Sequence, residues 1–161
     1  MTYAIDPTPL WQPTPEQAAA TAMAAFMGQT GHACYDDLWQ WSVDQPERFW
    51  SKVWDFCGAI GDQGATVLEA GGRMPGARWF PQARLNYAEN LLRRQDDGEA
   101  LVFWGEDKIR RRFSHAELYA DVARCIGVLR AAGVGVGDRV AGYLPNLPET
   151  LVAMLATAAL G

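Results

Sequence analysis

The sequence predicts a mixed α/β chain. A helical amino-terminal extension (residues 1–61) leads into a strap with a short helix (62–98), and then into the first hairpin and β-α unit of a larger α/β body (99–161). Three observations carry this reading. Capping signals followed by apolar residues at helical spacing occur before residue 58 and again after residue 114. Between about residues 62 and 82 the period is lost and glycine and proline dominate. After Gly98 a short apolar run, a turn and an arginine-rich return run precede the most regular helix of the chain.

In chain order, Thr14-Pro15-Glu16-Gln17 forms a capping box ahead of an alanine-rich helix expected to reach Met27 and to stop at Gly28. Asp36 and Asp37 belong in the first turn of a helix, where carboxylates complement the dipole. Asp44-Gln45-Pro46-Glu47 starts another. Phe49, Trp50, Val53, Trp54 and Cys57 give it one apolar face, and Gly58 ends it. Four of the seven tryptophans (Trp39, Trp41, Trp50 and Trp54) lie here, so this helix is expected to pack against a sizeable apolar surface.

The stretch MPGARWFPQARLNYAENLL, residues 74–92, reads as a strap rather than a ligand loop, with Trp79 and Phe80 as its anchors. Asn86 opens a helix carrying Leu91 and Leu92 and running into Arg93-Arg94, and Gln95–Gly98 closes it. Ala100–Trp104 is a strand, Gly105–Asp107 a turn, and Lys108–Phe113 the return strand. Ser114-His115-Ala116-Glu117 is a capping box, with Phe113 and Leu118 placed for a hydrophobic staple. Leu118, Val122, Cys125, Leu129 and Ala132 then recur at helical steps up to Gly133. Residues 139–144 are expected as a strand, and Asn146-Leu147-Pro148-Glu149 starts a helix that is apolar nearly all round. A strand followed by such a helix normally leads to a second parallel strand, so Gly161 is expected to be a truncation point inside a longer fold.

Composition narrows the function classes. Half of the residues are apolar (49%) and charged ones are 20%, which fits a globular chain. The net charge of −5 argues against general nucleic-acid binding. Cys34, Cys57 and Cys125 form no Cys-x-x-Cys pair, which points to neither a disulfide framework nor a zinc site and favours a reducing cytosol. The amino terminus has no secretory signature, and no apolar run is long enough to span a membrane.

The individual candidates offer no complete active site. Gly133, Gly135 and Gly137 follow a helix and precede an expected strand, the reverse of a dinucleotide fingerprint, and read as a connection. His32 and Cys34 have no second pair to complete a metal site and read as loop residues. His115, at the first helical position, reads as solvated. Arg110, Arg111 and Arg112 fit protection of an edge strand better than a phosphate site. Arg78 and Arg84 are expected to pair with carboxylates or stack on tryptophans. No catalytic, cofactor-binding or metal residue is assigned.

Three runs together, YDDLWQWSVDQPERFWSKVWDFCG, MPGARWFPQARLNYAENLL and GVGVGDRVAGYLPNLPETLVAMLATAALG, resemble the amino-terminal region of the acetoacetate–CoA ligases. These belong to the adenylate-forming acyl-CoA synthetases. The resemblance covers about Cys34 to Gly161, and WFPQARLNYAENLL is its more specific part. It implies a parent that uses ATP, Mg2+ and coenzyme A to activate acetoacetate as an acyl-adenylate and pass it to the thiol. It also implies a cytoplasmic enzyme of lipid and ketone-body metabolism. The family's Ser/Thr/Gly-rich phosphate loop is absent up to Gly161, so this chain is expected to be an inactive amino-terminal fragment of such an enzyme, ending inside the large domain and binding none of those cofactors itself. Its small-molecule substrates would act through the remainder, with no nucleic-acid, membrane or metal partner. A parent preferring acetate or propionate, and a non-catalytic interaction module, are the alternatives.

Overall fold

The computed structural model describes residues 9–106 and 109–161, which fall into two compact units, one ending at Gly58 and the other spanning Ala59–Gly161. In the first unit, α1 (Pro15–Ala19) carries the expected capping box: the Gln17 amide donates to Thr14 Oγ1 at 3.2 Å, and the Thr14 amide to Gln17 Oε1 at 2.9 Å. The expected single helix to Met27 is in fact two. Thr21 supplies a second cap, accepting from the Ala24 amide at 3.2 Å, and starts α2 (Ala22–Thr30). That helix runs through Gly28 and ends at Gly31, whose φ of 76° is the left-handed stop that glycine adopts without penalty.

Helices α3 (Tyr35–Asp44) and α4 (Pro46–Phe56) follow, with Asp36 and Asp37 in the first turn of α3 as expected. Phe26 of α2 and Leu38 of α3 are buried. Phe26 meets Phe49 edge-on at 5.9 Å and Phe56 at 5.0 Å, while Trp41 meets Phe49 at 5.6 Å. Such T-shaped contacts add roughly 0.5–1.5 kcal/mol each to burial. Not all the tryptophans turn inward, because Trp39 and Trp50 remain exposed.

In the second unit, the segment expected as an aperiodic linker contains paired backbone. Asp62 and Arg84 exchange amide–carbonyl bonds at 2.9 Å, and β1 (Leu68–Glu69) pairs antiparallel with β2 (Arg78–Trp79). The pairing is too short for a period to show in sequence. Gly61 is required here: at φ 151°, a Cβ would lie 2.7 Å from the Arg84 carbonyl oxygen. Trp79 is 43% exposed, so it does not anchor the strap as a buried tryptophan would; its backbone register against Leu68 positions it.

The helix α5 (Tyr87–Leu91) is shorter than expected. Arg93 and Arg94 lie beyond it, and Arg94 turns to Asp96 at 3.0 Å instead of serving the helix dipole. Strands β3 (Glu99–Trp104) and β4 (Arg110–Ser114) pair antiparallel, with Val102 opposite Arg112. Of the expected turn and return strand, Asp107 and Lys108 lie outside the described residues. The Ser114–Glu117 capping box forms in both directions, at 2.8 and 3.1 Å, and opens α6 (His115–Ala131). The first amides of α6 are taken by the Gly98 and Asp96 carbonyls at 3.0 Å, so the turn before the hairpin also caps the helix after it.

Residues 139–144, expected as a strand, are not one. None of the six makes a backbone–backbone hydrogen bond, and Val140, Tyr143 and Leu144 are exposed. A strand is a paired structure, and the described residues provide no neighbour for this one. Helix α7 (Pro148–Leu160) follows, and its apolar character is only partly used: Leu155 and Ala156 are fully buried, whereas Met154 is half-exposed.

The core of this unit gathers Ala88 and Leu92 beside α5, Leu118 and Val122 of α6, and Leu155 and Ala156 of α7. Asn86 ties it together. Its Oδ1 accepts from the Glu89 amide at 3.1 Å and caps α5, while its Nδ2 donates to the Ala158 carbonyl at 2.9 Å near the end of α7. Asn86→Ala is expected to lower unfolding stability by about 1–2 kcal/mol. Asn86→Asp, which keeps the cap and loses the donor, should lie between in urea denaturation. Equal stability of all three proteins would show that the tie contributes nothing.

Candidate functional site

Concave surfaces among the described residues of the second unit include the following two. One, of about 580 Å³, opens over α5 and α6, with Ala88 and Val122 in its floor and Asn86, Glu89, Arg93 and Tyr119 among its polar lining. Its lining contains no serine, cysteine or histidine, so it offers no hydroxymethyl or thiol nucleophile with an imidazole base. The other, of about 420 Å³, lies between residues 140–144 and α7 and is bordered by Val140, Leu144, Met154 and Ala158. That lining is predominantly apolar and suits packing rather than chemistry.

The three arginines of β4 are the densest charge in the chain, and each already has a partner. Arg110 sits 4.6 Å over the Trp104 ring. Arg111 forms two parallel bonds to Glu149, at 2.7 and 2.8 Å, and lies 5.3 Å from the Phe113 ring and 5.6 Å from Phe103. Arg112 pairs with Glu99. The bidentate geometry raises the Arg111 guanidinium further above its usual value and holds the Glu149 carboxyl below its own. It also fixes the hairpin to the first turn of α7, where a carboxylate favours the helix dipole. Asp96 is likewise lowered, first by the Gly98 amide and then by Arg94.

The other candidates do not converge. The glycines 133, 135 and 137 do not form an anion cradle, because their amides are used internally: by Arg130 O at 3.0 Å, Asp138 Oδ2 at 2.8 Å and Gly161 O at 2.7 Å. His32 stacks at 4.9 Å on Trp41 in the loop before α3, and Cys34 is the exposed residue preceding that helix. His115 occupies the first position of α6. Arg78 pairs with Glu69 at 3.3 Å, while Arg84 acts through its backbone bridge to Asp62. Among the described residues no group of three His, Cys, Asp or Glu side chains is placed to hold a metal ion.

Two features escaped the sequence reading. The Arg111–Glu149 pair joins residues 38 apart, and nothing local announces it. Asn86 was legible as a cap, but its second bond to α7 was not.

The family described as "Acetyl-coenzyme A synthetase N-terminus" matches residues 35–91, and the family described as "AMP-binding enzyme" matches residues 88–161. An acetoacetyl-coenzyme A synthetase of Rhizobium meliloti is 48% identical over 95% of this chain and 24% of its own length. A malonamoyl-CoA synthetase of Penicillium aethiopicum is 39% identical over 79% of this chain and 19% of its own. The solved acetoacetyl-CoA synthetase from Streptomyces lividans superposes with a TM-score of 0.81 at 40% identity, covering 96% of this chain and 26% of that one. The chain therefore spans about a quarter of the length of the relatives it matches.

A carboxyl held below its ordinary value stabilises the fold above the ordinary carboxylate range, and that contribution is lost as pH falls through the depressed value. Glu149→Gln should therefore unfold at lower urea than the parent at pH 7, and the gap should close as the pH falls below the ordinary carboxylate range. A gap that stays constant across that range would separate the pair from acid stability.

Proposed function

From a chain homologous to the acetoacetyl-CoA synthetases, members of the adenylate-forming enzymes, we propose that it forms the amino-terminal part of an ATP-dependent acid–thiol ligase. The longer enzyme activates acetoacetate as an acyl-adenylate and transfers the acyl group to coenzyme A, with ATP and Mg2+ as its further requirements. The observation that carries this is the 48% identity to the Rhizobium meliloti enzyme across 95% of the chain. We further propose a cytoplasmic location and a place in lipid and ketone-body metabolism; consistent with that location, no helix of the described residues is long and apolar enough to cross a membrane.

The division of labour follows the three segments read from the sequence. Residues 1–61 are a helical extension, 62–98 a strap with its short helix, and 99–161 the start of the adenylation domain. This chain contributes scaffold: the buried α5–α6–α7 core and the hairpin fixed by Arg111 and Glu149. It assigns no residue to catalysis, cofactor binding or metal binding, and alone it is inactive.

A second reading concerns the acid. The malonamoyl-CoA relative is 39% identical over most of this chain, so this region is shared by an enzyme whose name gives a different acid. Acetate, propionate or another short acid would therefore be compatible with the same scaffold.

The test uses a chimera in which this chain replaces the matching quarter of the Rhizobium meliloti enzyme. The chimera should retain acetoacetate-dependent acyl-CoA formation within about tenfold of the parent, a change of under ~1.4 kcal/mol in transition-state stabilisation. The isolated 161-residue chain should form no acyl-CoA. A folded but inactive chimera, or activity of the isolated chain, would overturn the reading.

A further inference from the structure

We propose that the outer face of α3 is a docking surface for a basic amphipathic helix of a partner protein. Tyr35, Trp39 and Val43 succeed one another at steps of four, which aligns them as one ridge along this ten-residue helix. All three are more than half exposed, at 58%, 52% and 55%, while Leu38 on the inward side is buried. The Trp39 ring meets no other aromatic ring among the described residues, in contrast to Trp41, which is packed against Phe49 and His32. An isolated exposed apolar side chain is ordinary, but a tyrosine, a tryptophan and a valine in register on one helix form a ridge that a partner helix can pack against.

The charge around the ridge selects the partner. Asp36 is exposed three residues before Trp39, on the neighbouring row of the helix surface, and Asp37 and Asp44 are exposed on the same helix. None of the three forms a salt bridge among the described residues; the Asp44 carboxylate only accepts from the Gln40 side chain at 2.9 Å. The cations of this unit, Arg48 and Lys52, both belong to α4, and Lys52 lies 4.0 Å from Asp55. An aromatic ridge edged by unpaired carboxylates complements a helix with leucine-type residues on one face and lysine or arginine beside them. The same carboxylates repel nucleic acid and anionic membrane surfaces, which excludes those as occupants of this face.

The experiment measures fluorescence anisotropy of a labelled Lys/Leu amphipathic helical peptide of about 14 residues, three to four turns, against the 161-residue chain. A Glu/Leu peptide of the same pattern is the control. The Lys/Leu peptide should bind saturably and the Glu/Leu peptide should not. Tyr35→Ser with Trp39→Ser should weaken binding at least about tenfold, as should Asp36→Asn with Asp44→Asn. Circular dichroism should be unchanged in both variants, because every altered side chain is exposed. Trp104→Ser, at another exposed aromatic residue, should bind like the parent. Absence of saturable binding, equal binding of the two peptides, or binding that survives both double substitutions would each overturn the proposal.

Discussion

The smallness of Ala88 is the constraint on which the second unit depends. A methyl group at a fully buried position allows α5 to approach α7 closely. At that separation the Asn86 side chain can cap its own helix and still reach the Ala158 carbonyl. A larger residue at 88 would push the helices apart and break both the packing and the hydrogen bond. Val122 of α6 and Leu155 of α7 fill the remaining space, and each contributes roughly 1.5–3 kcal/mol by burial. The hairpin attaches to this nucleus from another direction, through the Arg111–Glu149 fork and through carbonyls that receive the first amides of α6.

The first unit rests on different physics. It has few buried residues, and its cohesion comes from edge-on contacts among Phe26, Phe49, Phe56 and Trp41. Aromatic rings bury much area with few rotamers to freeze, which suits short helices that would be marginal in isolation. The tryptophans left outside are therefore surface features of this unit rather than part of its core.

What was legible in the sequence was local. Thr14 with Gln17 and Ser114 with Glu117 mark helix starts because a cap is a bond between residues three apart. The long periodic helix α6 was readable for the same reason. Misreadings arose where one local signal overrode another, or where a strand needed a non-local partner. Thr21 competed successfully to start a new helix, and Arg94 preferred Asp96 to the dipole of α5. Residues 139–144 have the composition of a strand but lack the partner that makes one. The fork between Arg111 and Glu149, far apart in sequence, could not be inferred from either neighbourhood.

The proposed scaffold role ties these features together: a well-packed three-helix nucleus carries an extended segment and an apolar groove. Native-state hydrogen exchange tests that claim most directly. The account predicts the slowest exchange for amides in the α6 and α7 turns around Val122 and Leu155, and near-intrinsic exchange for residues 139–144. Protection of 139–144 comparable to that of α6 would contradict it, since those amides would then be paired within the chain and the segment would be part of the nucleus.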